Sequence, residues 1–172
     1  MLMLLGMNLP DPMRRAALLG LAAAWAGAGC SRREPAPRFE YTLLDGSRHD
    51  STFLRGQVLM LHFWATSCAI CVKDMPQMVA TQRRFAGRGL HTLAVALASD
   101  APARVSNFAE RWALPFGVVI DNTGAIAHSF GDVEATPTTV LIDRRGAQVR
   151  RWVGEPDFAA LHAQIERLLA EA

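Results

Sequence analysis

Cysteine is scarce in this 172-residue chain, with Cys30, Cys68 and Cys71 as the whole complement. No second Cys or His pair stands at ligand spacing, so a closed tetrahedral zinc site is excluded. His49, His91, His128 and His162 are scattered, and Met75 and Met78 fall at helical core spacing, so no metal site is expected. Charge of one sign is also lacking. The formal net charge is +2, which gives no field for nucleic acid, and Arg83-Arg84, Arg144-Arg145 and Arg150-Arg151 read as solvated faces. No uncharged run reaches the roughly 20 residues that a membrane-spanning helix needs. No internal repeat is visible. What remains is a chain that is 51% hydrophobic, enough to build one domain core with appendages.

The N-terminal appendage has a recognisable order. Arg14-Arg15 precedes the apolar run Ala16–Ala26, and small residues follow up to Cys30. A basic region, an apolar region and a small-residue cleavage zone make a secretory signal segment over residues 1–29. Gly27-Ala28-Gly29-Cys30 resembles a lipobox, which implies lipidation of Cys30, although Gly27 stands where Leu is usual. Cleavage by ordinary signal peptidase and a retained anchor are the alternatives. Residues 30–37, with Pro35 and Pro37, read as a tether, and residues 38–172 as the folded domain.

Within that domain the pattern is mixed. Phe39–Leu44 and Ser47–Asp50, around the turn signal Asp45-Gly46, suggest a hairpin. Ser51 is placed to cap a short turn that ends at Gly56. Val58–Trp64 is apolar at successive positions, as in a strand covered on both faces. Met75, Met78, Val79, Gln82, Phe85 and Ala86 recur at helical spacing. Pro76 lies inside that helix, and Gly87 and Gly89 follow it. Leu90–Ala98 reads as a strand, Asp100-Ala101-Pro102 as the cap and first turn of a helix to about Arg111, and Phe116–Ile120 as a third strand. Gly124–Phe130 is a short helix or turn. Thr138–Ile142 and Ala147–Val153 form a hairpin through Asp143–Gly146. A last helix sets Phe158, Leu161, Ile165 and Leu168 on one face. Strand–helix–strand early and hairpin–helix late imply an α/β fold with a mixed central sheet flanked by helices. This is the thioredoxin architecture, with an N-terminal hairpin and an extra helix–strand unit at about 100–120.

The chemistry is concentrated where the strand Val58–Trp64 gives way to helix. Cys68 and Cys71, three residues apart, straddle that junction. Residues at this spacing on a helix sit roughly 5–6 Å apart, within disulfide range. Free N–H groups and partial positive charge at the helix mouth stabilise a thiolate. Cys68 is therefore expected to attack, and Cys71, one turn inside, to resolve the mixed disulfide. Val72 rather than His follows Cys71, which removes c-type haem attachment. A structural bridge closing so small a loop stabilises little.

Phe63-Trp64-Ala65-Thr66 leading into Cys68-x-x-Cys71, Met75-Pro76, Ala135-Thr136-Pro137-Thr138-Thr139, Leu141-Ile142-Asp143-x-x-Gly146 and Val153-Gly154 occur in order. Together they resemble the TlpA-like, or ResA-like, thiol–disulfide oxidoreductases of the thioredoxin superfamily over about residues 38–170. The resemblance implies a cis-proline at Pro137, with the Thr136 backbone open to an extended substrate; a trans-proline opening an edge strand is the alternative. It implies that Trp64 shields the dithiol flank, with core packing as the alternative. His62 departs from the family, where Asp or Asn is usual two residues before the Trp. It would either move a proton during exchange or sit neutral against a backbone carbonyl. Ser67 and Ala69-Ile70 are further departures. The implied function is protein-disulfide reduction by an exported, lipid-anchored enzyme that needs no cofactor beyond its own cysteine pair. Protein disulfide or dithiol clients in cytochrome c or copper-site maturation, and a membrane electron donor, would be its partners; nucleic acid would not. A dithiol oxidant and a copper metallochaperone using the same pair are the rival readings. A peroxidase is disfavoured, because Leu61 and Ala65 stand where a peroxiredoxin has Pro and Thr or Ser.

Overall fold

A computed structural model of the protein describes residues 33–171. Residues 1–32, which include the expected signal segment, Cys30 and the start of the expected tether, lie outside the described residues. The domain begins with a two-stranded antiparallel hairpin, β1 (Glu40–Thr42) and β2 (Arg48–Asp50), followed by a 3-10 turn over Ser51–Leu54. Asp50, not Ser51, caps that turn by accepting from the Thr52 N–H, while the Ser51 hydroxyl accepts from the Phe39 N–H.

The central sheet is built from β3 (Val58–Trp64), β4 (Leu90–Ala96), β5 (Gly117–Ile120), β6 (Thr138–Ile142) and β7 (Gln148–Val153), in the order β5-β4-β3-β6-β7. β3, β4 and β5 are parallel, and β6 and β7 run antiparallel to their neighbours, which makes the sheet mixed. β3 lies in the middle and all seven of its residues are buried, as its unbroken apolar run requires.

The side chains of β3 alternate between two cores. Val58, Met60 and Trp64 pack with Cys71, Met75, Met78 and Phe85 of α1 (Ala69–Phe85), Val105 and Ala109 of α2 (Pro102–Trp112), and Leu161, Ile165 and Leu168 of α4 (Phe158–Ala170). Leu59, Leu61 and Phe63 pack with Phe39 and Tyr41 of the hairpin side and with Ile126 and Ala127 of α3 (Ala125–Ser129). Helices therefore cover both faces. α1 runs on through Pro76, and the left-handed Gly89 (φ 103°) ends the short 3-10 turn that follows it. The inserted unit is α2–β5, and Leu43 bridges from the end of β1 to Val119 of β5.

Residues 33–37, assigned from composition to the tether, do not hang free. The Ala36 N–H donates to Gly146 O (2.8 Å) and the Gln148 N–H donates to Glu34 O (2.7 Å). Arg33 reaches Asp143 at 2.9 Å and Glu171 at 3.0 Å. The partners lie more than 100 residues away along the chain, so local composition carries no sign of them.

The topology also places the site. Parallel β3 and β4 end at one pole of the sheet, and antiparallel β6 begins there, with Thr138 opposite Phe63. The loop after β3 and the loop before β6 therefore face one another.

Candidate active site

β3 ends at Trp64, and a turn over Ala65–Cys68, closed by the Cys68 N–H donating to Ala65 O (3.1 Å), delivers the chain to α1. Cys68 is the N-cap of that helix. Its sulfur occupies the acceptor position that a Ser or Asp side chain takes at other helices: the Cys71 N–H donates to Cys68 Sγ at 3.2 Å. The same N–H, and the positive end of the helix behind it, stabilise a thiolate at this position once the pair is reduced. Cys68 and Cys71 are joined as a disulfide with a Cα–Cα distance of 5.2 Å. Cys71 is fully buried and Cys68 is half-buried beside exposed Ala69 and Ile70. Only Cys68 is accessible to another protein.

Opposite stands the loop before β6. Thr136–Pro137 is a cis peptide bond, and Cys68 Sγ lies 3.5 Å from the Thr136 carbonyl oxygen. The loop is held on both sides: Gly154 N–H donates to Pro137 O (2.8 Å) and the Thr138 hydroxyl donates to Ala135 O (2.7 Å).

Trp64 takes the second of its two expected places: it does not lie open beside the dithiol as a client-binding residue but packs in the core, fully buried, with its ring 5.0 Å from that of Phe108. Its place at the end of a strand covered on both faces turns the indole into the core, so it supports the dithiol from beneath and does not face a client.

His62 lies on the same face of β3 as Met60 and Trp64, toward α1, and is 1% exposed. Its Nδ1 pairs with the Thr139 hydroxyl across the β3–β6 ladder at 3.0 Å, so its partner is a side chain and not a backbone carbonyl. Nε2 is buried without a partner. Burial alone pushes the imidazole pKa down to about 4, so the ring is neutral at neutral pH.

Two residues at the site escaped the sequence analysis. Asp74 is one helical turn beyond Cys71, on the neighbouring face. It is 2% exposed and its Oδ2 has no hydrogen-bond partner. Burial first, and the nearby Glu155 second, hold its carboxyl above the usual range. Lys73 beside it pairs with Glu155 at 3.1 Å. An acidic residue on the inward face of an otherwise apolar helical stripe was the available signal. Asp100 was assigned to the cap of α2, but the N-cap there is Ala101, with no side-chain bond. The Asp100 carboxylate instead accepts from the Thr66 N–H (2.5 Å) and the Thr66 hydroxyl (2.7 Å). Only the parallel pairing of β3 with β4 brings these residues together, so spacing along the chain gave no hint of it. Among the described residues no group of three or more metal-ligating side chains converges, and no helix is long and apolar enough to cross a membrane.

The Redoxin family model matches residues 32–164. The chain is 32% identical over 133 residues to the thiol-disulfide oxidoreductase ResA of Bacillus thuringiensis (strain Al Hakam), covering 77% of this chain and 76% of the relative. It is 30% identical over 141 residues to ResA of Bacillus subtilis (strain 168), covering 81% and 78%. Among solved structures, a thioredoxin family thiol:disulfide interchange protein from Chlorobium tepidum TLS superposes with a TM-score of 0.74 at 26% identity, over 81% of this chain and 99% of that one. With one accessible and one buried sulfur at a helix mouth, facing a cis-proline loop in a thioredoxin fold, the chain belongs to the Redoxin family as a ResA-like thiol–disulfide oxidoreductase that works through its own cysteine pair.

Proposed function

We propose that the protein is an exported reductant of protein disulfides, lipid-anchored through Cys30 and acting on clients of cytochrome c or copper-site maturation outside the cytoplasmic membrane. The observation that carries the chemistry is the unequal exposure of Cys68 and Cys71 beside the Thr136 carbonyl. In the reduced enzyme the Cys68 thiolate attacks one sulfur of a client disulfide, and the other client sulfur leaves as a thiolate. The Cys71 thiolate then attacks Cys68 Sγ. The second client sulfur leaves, and the enzyme keeps the Cys68–Cys71 disulfide. Two electrons pass to the client, and its two leaving thiolates take up two protons, the one that Cys71 gives up and one from solvent, since Cys68 enters as a thiolate. The backbone of Thr136 is the edge along which an extended client segment lies, with Pro137 holding that edge toward Cys68. Asp74, buried one turn from Cys71, takes the Cys71 proton in the second step. His62 lies in the floor of the site as a neutral ring that takes no proton at neutral pH. A membrane electron donor restores the dithiol.

Reduced full-length protein should reduce insulin disulfides, Cys68→Ser should abolish this, and Cys71→Ser should accumulate mixed disulfides; full turnover by Cys68→Ser overturns the assignment. Direction is set by potential, with about 30 mV equal to tenfold in equilibrium. The midpoint potential and the thiol state trapped in cells test it. A pair held as dithiol supports the reductant, and a pair held as disulfide makes the protein an oxidant. Stoichiometric copper after anaerobic purification, without dithiol turnover, would make it a metallochaperone. Mass spectrometry of the membrane fraction should find acylated Cys30, and a free α-amine elsewhere removes the anchor.

A further inference from the structure

Asp100 stands outside the reaction just written, yet it is tied to the segment that carries the nucleophile. It follows β4 in a turn closed by its own N–H donating to Leu97 O (2.9 Å), and the Leu97 N–H donates to Trp64 O (3.1 Å). The end of β4 is thus sewn to the end of β3, and the side chain reaches one step further. Asp100 is 6% exposed. A carboxylate so placed is costly unless its oxygens are satisfied. Both oxygens are used on one residue: Oδ2 accepts from the Thr66 N–H and Oδ1 from the Thr66 hydroxyl. Such charge-assisted pairs are roughly twice as strong as neutral ones. By sequence position this carboxylate is available to cap α2, and α2 begins without a side-chain cap. The fold has committed the group to the turn before Cys68 instead.

We infer that Asp100 is the positioning residue of the nucleophile: it clamps Thr66, fixes the Ala65–Cys68 turn against the end of β4, and so holds Cys68 Sγ where the Cys71 N–H reaches it and the Thr136 carbonyl lies opposite. Asp100 touches no reacting atom; it acts through Thr66. The inference rests on Cys68 being the attacking sulfur. A shift of about 1 Å in a reacting group is enough to cost on the order of 100-fold in rate, so a two-point clamp two residues away has leverage on the chemistry.

The test uses the reduced full chain and two readouts: the pH dependence of Cys68 alkylation by iodoacetamide, and single-turnover reduction of a model disulfide. Asp100→Ala should slow both about 10- to 100-fold and move the alkylation midpoint upward, because Sγ loses its alignment with the helix N–H groups. Thr66→Val, which keeps the N–H bond, should show a smaller change of the same sign. The double variant should be no slower than Asp100→Ala alone, and Asp100→Asn, which retains one acceptor oxygen, should fall between Asp100→Ala and the parent. An unchanged midpoint overturns the clamp. So does a downward midpoint, which would mean that Asp100 acts on Cys68 only as a negative charge, and so do effects that multiply in the double variant. If Asp100→Ala fails to fold, Thr66→Val and Asp100→Asn decide by the same midpoint. A parent that reduces no disulfide, while its alkylation midpoint still rises in Asp100→Ala, sinks the reductase reading and leaves the clamp standing.

Discussion

Cys68 and Cys71 share one turn of helix but not one environment, and the division of labour follows from that. The buried partner, Cys71, cannot be reached by a client, and its proton must pass to something within the protein. Asp74, buried one helical turn along, is the carboxyl proposed for this, and burial and Glu155 hold its pKa up. Asp74 accepts a proton only when ionised, so the release step should accelerate as pH rises through a midpoint above the usual carboxylate range. In Asp74→Asn that inflection should vanish and release should slow about 10-fold or more, as stopped-flow decay of the mixed disulfide will register. His62 makes a different pH statement. The unfolded chain protonates this ring near the ordinary imidazole value of 6.5, whereas the folded chain resists until about 4. Between those values the unfolded state binds more protons, so stability falls as pH falls. The loss is as much as about 3 kcal/mol by pH 4. His62→Asn should flatten this part of the curve in urea unfolding measured at pH 7 and pH 4.5. An equal slope in both proteins would mean that the ring carries none of the acid sensitivity.

At the scale of elements, the site is only as firm as the packing behind it. α1 and α4 lie together on one face of the sheet, where Leu161 and Ile165 are fully buried. Ile165→Ala should cost about 2–5 kcal/mol, the range for a large-to-small change in a close-packed core, read as a lower midpoint in chemical denaturation. The N-terminal segment depends on polar contacts instead. Arg33 is 29% exposed while Asp143 is 4% exposed, and Asp143 also accepts from the Arg145 and Ala147 N–H groups. Arg33→Ala should therefore leave Asp143 bonded and lower global stability by about 1–2 kcal/mol at most. Its clearer effect should be faster hydrogen exchange at the Ala36 and Gln148 amides, which hold residues 33–37 to the β6–β7 hairpin. Strands and helices with strong periodicity, such as β3, α1 and α4, were legible because a buried face repeats along the chain. The cap of α2 and the docking of residues 33–37 were not, because their polar groups had several equally good local partners and the tertiary fold chose distant ones.

For the whole molecule, the arrangement of the sheet matters more than any one bond. Parallel β3 and β4 bring their ends to the pole where antiparallel β6 starts, and this brings the dithiol and Thr136–Pro137 together from segments almost 70 residues apart. The Cys68–Cys71 bridge spans a sequence separation of 3, so it constrains the unfolded chain weakly. Reduced and oxidised protein should differ in unfolding free energy by about 2 kcal/mol or less, measured by denaturation with and without reductant. A difference several times larger would make the disulfide part of the scaffold and not a reversible carrier.

The sequence by itself determined the fold class, the strand-to-helix junction and the order of the two cysteines, because hydrophobic period, turn chemistry and a three-residue spacing are local properties. It also marked Thr136–Pro137 and His62, through a resemblance in motif. Tertiary structure alone decided which sulfur is exposed, that Trp64 faces the core, that His62 is neutral against Thr139, that Asp74 is buried with one oxygen unpartnered, and that Asp100 bonds to Thr66. Burial and hydrogen-bond partnership depend on neighbours supplied by remote strands and helices, and no window of adjacent residues contains them.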